Sequence, residues 1–597
     1  MATVGRTETK LAAFAVVVMA VARYGTGLGM IGLPWTILAV GLGGVGVRLR
    51  RMTLIGVAVL IIVASRSTAQ LHALSRQLPE GTQSGIARLV TDPTDGQFDV
   101  QVVIELDGRR YVASSTFSNQ GMLPELLAGQ YVHIEGTVRP LQGAPRGWVL
   151  SNHLAGRFKI TSVSPTSRVD PLYRQANDLR RRIDRSSNGM DEDRRALYLG
   201  LVIGDDRFQS ELQQYRFKAS GLTHLLAVSG QNVSFVLAIA SPLLRRAGPR
   251  LSMAIAISLL CLFAVVTRAE PPVLRAVVMA TIGLFAISAN RESQALSVLS
   301  LTVVVLVVID PLIVHAVGFQ LSVLATLGLI VLSQPLSERL PGPMWLRSAM
   351  SVTLAAQVAT APVILGFNDG IPAVATPANL IAVPAAGVVM MGGLTVGLFA
   401  GSIRADVGSI LMVPVGWLVD LIDWVAAFAS RVPLAPLTPI RLLAMVVTIT
   451  AWLTWRTGAQ RRRRQRTDDS AGRQPSRWSL EGVIAATLVL LVVLVLVAPR
   501  RAGVGLERIS DAAVFANNTC NTPILVLSKG AKGVQVLEAL SGLQVRSIPL
   551  VVTDDSASAR RAAAMVGKQH AIGSESHESS NDGVDPTEVA QSAMQSC

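Results

Sequence analysis

Cysteine is scarce in this chain: three in 597 residues, at Cys261, Cys520 and Cys597, with the first inside an apolar run. That spacing excludes a disulfide framework and a thiolate metal site. Charged residues are few at 16% and aromatics fewer at 5%. No Gly-x-x-x-x-Gly-Lys-Ser/Thr loop occurs in the sequence, so no P-loop is available to bind a nucleotide. What fills the chain is apolar: 50% of residues, with a mean hydropathy of +0.46. Apolar runs long enough to cross a bilayer recur from one end to the other.

The fold class read from this pattern is a polytopic α-helical membrane protein of about 11–13 spans. It carries an extracytoplasmic OB-like β-barrel domain and a small α/β remnant tail. The net charge of +15 would by itself suggest nucleic acid. The basic residues, however, come in short clusters: Arg48, Arg50 and Arg51; Arg245, Arg246 and Arg250; Arg461 to Arg464 with Arg466. In a membrane protein such clusters mark cytoplasmic loops first and a phosphate-binding surface second.

Residues 1–69 read as N-terminal transmembrane helices. Arg6 and Lys10 precede an apolar stretch, and Ala20-Val21-Ala22 resembles a signal-peptidase site. Apolar sequence resumes at once through Val47, which favours an uncleaved hairpin over a cleaved signal. A third span, about 53–65, is short for a crossing on its own.

Residues 70–165 alternate apolar and polar positions, and Asp107-Gly108 marks a hairpin turn. Five strands, the last beginning near Trp148, suit an OB-like barrel. Barrels of this kind bind single strands by aromatic stacking over a basic groove. Candidates for DNA contact are Arg109, Arg110, Tyr111 and Trp148, with Phe117 and Tyr131 beside them. Phe and Tyr on strands are more often core residues, and acids and bases here roughly cancel.

Residues 166–218 read as an amphipathic helical linker lying at the membrane interface, with Arg180, Arg181, Arg182 and Arg185 near the outer surface. Spans then come densely over 219–460. A basic cytoplasmic loop at 461–479, a last helix at 480–499 and an α/β tail at 500–597 follow. The end of the tail, SESHESSNDGVDPTEVAQSAMQSC, is polar and expected to be disordered.

The most informative stretch is residues 204–235, GDDRFQSELQQYRFKASGLTHLLAVSGQNVSF. It turns from charged to apolar and then carries His224, Ser229, Gly230, Gln231 and Asn232 at membrane depth. Polar groups there face a cavity or a partner, or pack against neighbouring helices. On a continuous helix His224 and Gln231 share one face; a break at Gly230 would redirect Ser229 and Asn232. His224 reads as a structural or path-lining hydrogen bonder, because no second histidine or carboxylate is spaced beside it in the sequence. Asp205 and Asp206 read as a helix cap in preference to an ion site.

These 32 residues resemble the start of the competence domain of the ComEC-type DNA-uptake channels. EPPVLRAVVMA (270–280), DPLIVHAVGFQLSVLATLGL (310–329), and AAQVATAPVILGF with ATPANLIAVP (355–384) resemble later blocks of the same family, in the same order. The resemblance implies passage of one DNA strand through the bacterial cytoplasmic membrane during transformation. Its partners would be single-stranded DNA, the lipid bilayer, a DNA receptor outside, and a cytoplasmic helicase or single-strand-binding protein.

A polyanion crossing hydrocarbon needs a wet, polar, preferably cationic lining. Arg275 is the best cation for a phosphate contact; alternatively it snorkels to the outer surface beside Arg268 and Glu270. Gln320 and Asn379 could contact a strand or hydrogen-bond across helices. Two departures stand out. Many members carry Leu-His where this chain has Gln231-Asn232. Full-length relatives often end in a metallo-β-lactamase-like domain with a His-x-His-x-Asp-His cluster; here the comparable strand end reads VVTDDSASA (551–559), and the tail histidines are His570 and His577. No catalytic residue, metal or cofactor is therefore assigned. The other function classes weighed are a secondary transporter of a small solute, which would show inverted repeats, and a membrane-anchored hydrolase.

Overall fold

The computed structural model describes residues 6–24, 52–79, 81–95, 99–116, 123–141, 146–226, 228, 230–288, 294–366, 370–403, 405–432, 434, 436–437, 505–510, 513–517, 523–528, 530–542, 547–553, 556–569 and 571–577. The chain divides into two compact units. The first comprises residues 1–209, 224–363 and 380–422; the second comprises 210–223, 364–379 and 423–597.

Among the described residues, six helices are long and apolar enough to cross a membrane: Thr53–Leu74, Pro249–Val266, Pro271–Ser288, Val317–Arg339, Ala375–Ala400 and Val407–Arg431. The protein is thus a multi-pass membrane protein. The expected short span near 53–65 is part of the helix Met52–Leu74, which takes in flanking residues and so is long enough to cross. The expected spans near 29–47, 440–456 and 480–498 lie outside the described residues, as do the Arg48–Arg51 and Arg461–Arg466 clusters. The helix Arg6–Tyr24 buries Ala15, Val18 and Ala22 against Leu299, Val303 and Val307 of the shorter apolar helix Ala295–Ile309.

Between the helix Met52–Leu74 and the later membrane helices of the first unit lies a six-stranded sheet: β1 Thr82–Leu89, β2 Thr94–Asp95, β3 Asp99–Leu106, β4 Arg109–Thr116, β5 Gln130–Arg139 and β6 Leu154–Val169. Its order is β1-β5-β6-β4-β3-β2, and β1 also pairs with β3 through Arg88↔Glu105 and Leu89↔Ile104. The β3–β4 turn is the expected one. Asp107 (φ 49) and Gly108 (φ 72) both take the left-handed conformation that a tight hairpin needs, closing Leu106 against Arg109. The core under the sheet gathers Leu89, Val102, Ile104, Val132, Ile134 and Phe158.

One strand was placed wrongly by the alternation WVLSNHLAG. Trp148 lies on a short helix, Arg146–Ser151, and β6 begins only at Leu154. Over residues 166–218 the expected amphipathic helix is found at Pro171–Ser186, with Arg181, Arg182 and Arg185 exposed, but the segment is not amphipathic throughout. Three helices stand there, Pro171–Ser186, Glu192–Ile203 and Glu211–Ser220, and the middle one is buried on every face from Ala196 to Ile203. A helix apolar all round is a core element, not an interfacial one.

The tail in the second unit is α/β, as expected. Its sheet runs β11-β10-β9-β8-β7, with β7 Gly505–Ser510, β8 Ala513–Asn517, β9 Pro523–Leu527, β10 Ser547–Thr553 and β11 Ala571–His577. Strands β9, β10 and β11 are parallel, linked through the helices Gly533–Gly542 and Ala557–Gln569. Residues 574–577, expected to be disordered, form the end of β11, because their backbone pairs with β10.

Candidate functional site

The apolar half of the 204–235 stretch is two helices, not one. Thr223–Leu226 makes a single turn, and a new helix starts at Gly230 and runs to Arg246. His224 and Gln231 therefore do not share a face of one continuous helix. Both are exposed, whereas Asn232 is buried and Ser229 lies outside the described residues. The fresh start leaves backbone N–H groups without intrahelical acceptors and puts the positive end of the helix dipole there.

Arg275 sits against that start. A Cβ at Gly230 would stand 2.7 Å from Arg275 Nη2 and 3.2 Å from the Cβ of Ala276, so only glycine lets the guanidinium approach so closely. Arg275 lies within the apolar span Pro271–Ser288 and is 9% exposed. Its Nε donates to Ser322 Oγ at 2.6 Å and its Nη1 to Met279 Sδ at 3.1 Å. Among the described residues it has no carboxylate partner. It points into the helix bundle and does not snorkel outward past Glu270. A guanidinium and a positive helix end on one spot form an anion-attracting corner in an apolar span.

Two other expected residues are engaged elsewhere. Gln320 Nε2 donates to Val314 O at 2.8 Å and so closes the short 3-10 turn Pro311–His315, a local duty rather than a contact across helices. Asn379 is buried, with Oδ1 unpartnered among the described residues. It belongs to the second unit, whereas Arg275, Gln320 and residues 230–232 belong to the first.

The charged half of the stretch builds a buried ion network that the sequence did not announce. The helix Glu192–Ile203 ends at Gly204 (φ 67), where a Cβ would stand 2.5 Å from Val228 Cγ2. The turn then aims Asp205 inward. Arg180, 3% exposed, reaches Asp92 Oδ2 at 3.0 Å and Asp205 Oδ2 at 2.8 Å. Its Nη1 donates to Ile203 O at 3.1 Å and Val266 O at 2.9 Å. Arg207 grips Asp205 in a two-pronged contact, 2.7 Å at each prong. Arg268 grips Asp92 in the same way at 2.9 and 2.7 Å. Arg268 and Ala269 hold φ of 60 and 55, a left-handed pair that costs roughly 1–2 kcal/mol per residue and is held by the contacts around it.

So Arg180 is not on an outer rim and Asp205 is not a cap; Ser210 caps the next helix. Asp92 ties β2's neighbourhood to the membrane helices, and it also accepts from Ala128 N at 2.8 Å. A second tie comes from the Asp-Pro block: His153 Nε2 lies 3.0 Å from Asp310 Oδ2, whose other oxygen accepts from Leu312 N.

Burial works against ionisation of Asp92, but Arg180 and Arg268 outweigh it and hold the carboxyl at about 2. Beside this network sits an acid for which the pull of Arg180 is too weak to offset burial. Glu270, in the turn between two spans, is pushed up to about 7 by burial and by the charge of Asp206, although it accepts a hydrogen bond from Val228 N–H. Asp206 is itself raised, by burial and by Asp205. Because the folded value of Glu270 exceeds its ordinary 4.5, its contribution to stability is full below pH 4.5 and is lost as pH rises through about 7. Glu270→Gln is expected to flatten the stability profile between those limits, measured as melting temperature against pH. A slope unchanged by the substitution would contradict this assignment.

The β-domain candidates do not assemble into a stacking surface. Tyr111 is 3% exposed and packs in the core, its ring centroid 6.3 Å from that of Phe158. Arg109 donates to Gln77 O at 3.0 Å, and Arg110 lies 3.8 Å from Glu105 Oε2. Tyr131 is covered by the Arg168 guanidinium at 4.6 Å. Trp148 is exposed but on its helix, and Phe117 lies outside the described residues.

Residues 201–463 match the family described as Competence protein. ComE operon protein 3 of Bacillus subtilis (strain 168) is 24% identical over 367 residues, which cover 59% of this chain and 46% of that protein. The match thus spans less than half of that relative. No solved structure matches the chain. The ComEC-type resemblance carried by the four sequence blocks is borne out, and the break at Gly230, Arg275 and the Asp205 end of the ion network all fall inside the matched region.

Proposed function

We propose that this ComEC-type chain conducts one strand of DNA across the cytoplasmic membrane of a bacterium, inward, during transformation. The observation that carries the reading is Arg275: a guanidinium inside an apolar span, without a carboxylate partner among the described residues, pressed against a helix start. A cation at that depth is costly unless it meets an anion in transit or at rest. A phosphodiester supplies one, and repeated phosphates allow it to leave for the next.

The β-domain supports an OB-like reading. Its pairings run β1–β3, β3–β4, β4–β6, β6–β5 and β5–β1, with only β4–β6 parallel, the order expected of a five-stranded Greek-key barrel. With no P-loop in the sequence, pulling force is assigned to a cytoplasmic helicase or single-strand-binding protein, and delivery to a receptor outside. The chain itself is read as non-hydrolytic.

The test is uptake of labelled DNA by cells carrying Arg275→Ala or Asn232→Ala, at matched protein amounts in the membrane. Loss in Arg275→Ala supports the reading. Normal uptake in both variants removes it, and intact transformation with loss of a small solute's uptake would favour a transporter.

A further inference from the structure

We propose that the α/β tail is a brace, a docking module whose partner is this chain's own helix Glu211–Ser220. The two share one apolar core within the second unit. Leu212 and Tyr215 of the helix are buried together with Leu525, Val536, Leu537 and Ile548 of the tail. Polar contacts fix the register: Tyr215 Oη donates to Leu537 O at 3.4 Å, and Lys218 Nζ lies 2.7 Å from Glu538 Oε1. At the far end of the tail's second helix, Gln569 Nε2 donates to Ser430 Oγ at 2.9 Å.

A helix of 10 residues does not hold its own shape in water, even with Ser210 and Gly221 capping its ends. It needs a surface to bury its apolar side, and the tail provides one. The helix leads directly in sequence to the Thr223–Gly230 break, so whatever orders it fixes the point from which that segment starts. This role asks the tail for a hydrophobic face and a few hydrogen bonds, with no catalytic group. It gives the tail a purpose that is independent of the DNA reading.

The experiment is hydrogen exchange on the full chain in nanodiscs. In Leu212→Ala/Tyr215→Ala, amides of residues 533–542 and 557–569 are expected to exchange about 10- to 100-fold faster, with β1–β6 unchanged. Unchanged protection of the tail would overturn the proposal. Lys218→Glu gives a milder test that leaves the cores intact: about 2- to 5-fold faster exchange in residues 211–220. Adding Glu538→Lys is expected to restore the protection, and a double variant no better than the single would also overturn it.

Discussion

Arg180→Ala is expected to lower the stability of the first unit by about 3–5 kcal/mol, the usual cost of breaking one partner out of a buried ion network. The side chain is 3% exposed and bridges Asp92 and Asp205, while its Nη1 satisfies the carbonyls of Ile203 and Val266. Without it, each carboxylate keeps one arginine, Arg268 or Arg207, and two buried carbonyls lose a donor. An unpaired buried acceptor costs about 1–3 kcal/mol on its own. Melting of the purified protein, followed by tryptophan fluorescence, reads the loss. A melting temperature within a degree of the parent would sink the assignment of Arg180 as the hub.

The same network makes a second reading possible. Asp92 has its folded value held at about 2, below its ordinary 3.8, so its stabilisation is present above pH 3.8 and is lost as pH falls through about 2. Glu270 acts in the opposite sense, losing its contribution as pH rises to about 7. Arg180→Ala should therefore weaken the acid side of the profile and, because the Arg180 charge also pulls the Glu270 value down, push the Glu270 side further up in pH.

How much of this was legible in sequence depended on the range of the interaction. The Asp107-Gly108 hairpin and most helices were legible, because turn chemistry and hydrophobic period are local. The four competence blocks were legible because they are contiguous strings. The ion network was not. Asp92 stands in a loop with nothing beside it to mark it, 88 positions from Arg180 and 176 from Arg268. Arg180 hid in a run of three arginines that reads as a solvated rim. Asp205, just before a helix, looks like a cap until the backbone turns it inward at Gly204. Ser322 gave no signal, since a serine in a membrane helix usually bonds its own backbone.

Arg275→Ala is expected to cut DNA uptake about 10- to 100-fold, since a hydrogen bond to a charged group contributes about 1.5–3 kcal/mol and each 1.4 kcal/mol is tenfold. Three further variants separate charge from packing. Arg275→Met keeps much of the stem's volume and should lose uptake as Arg275→Ala does, while Ser322 loses its donor in both. Arg275→Lys keeps the charge but not the planar fork, and should fall between. Gly230→Ala places a Cβ 2.7 Å from Nη2. The far end of the guanidinium must then swing aside, so uptake should drop although the charge is intact. If Arg275→Met alone transported normally, the side chain would be a packing element, and the anion corner would have no part in conduction. If Lys and Met were equally impaired, geometry would matter more than charge, and Gly230→Ala should then match them.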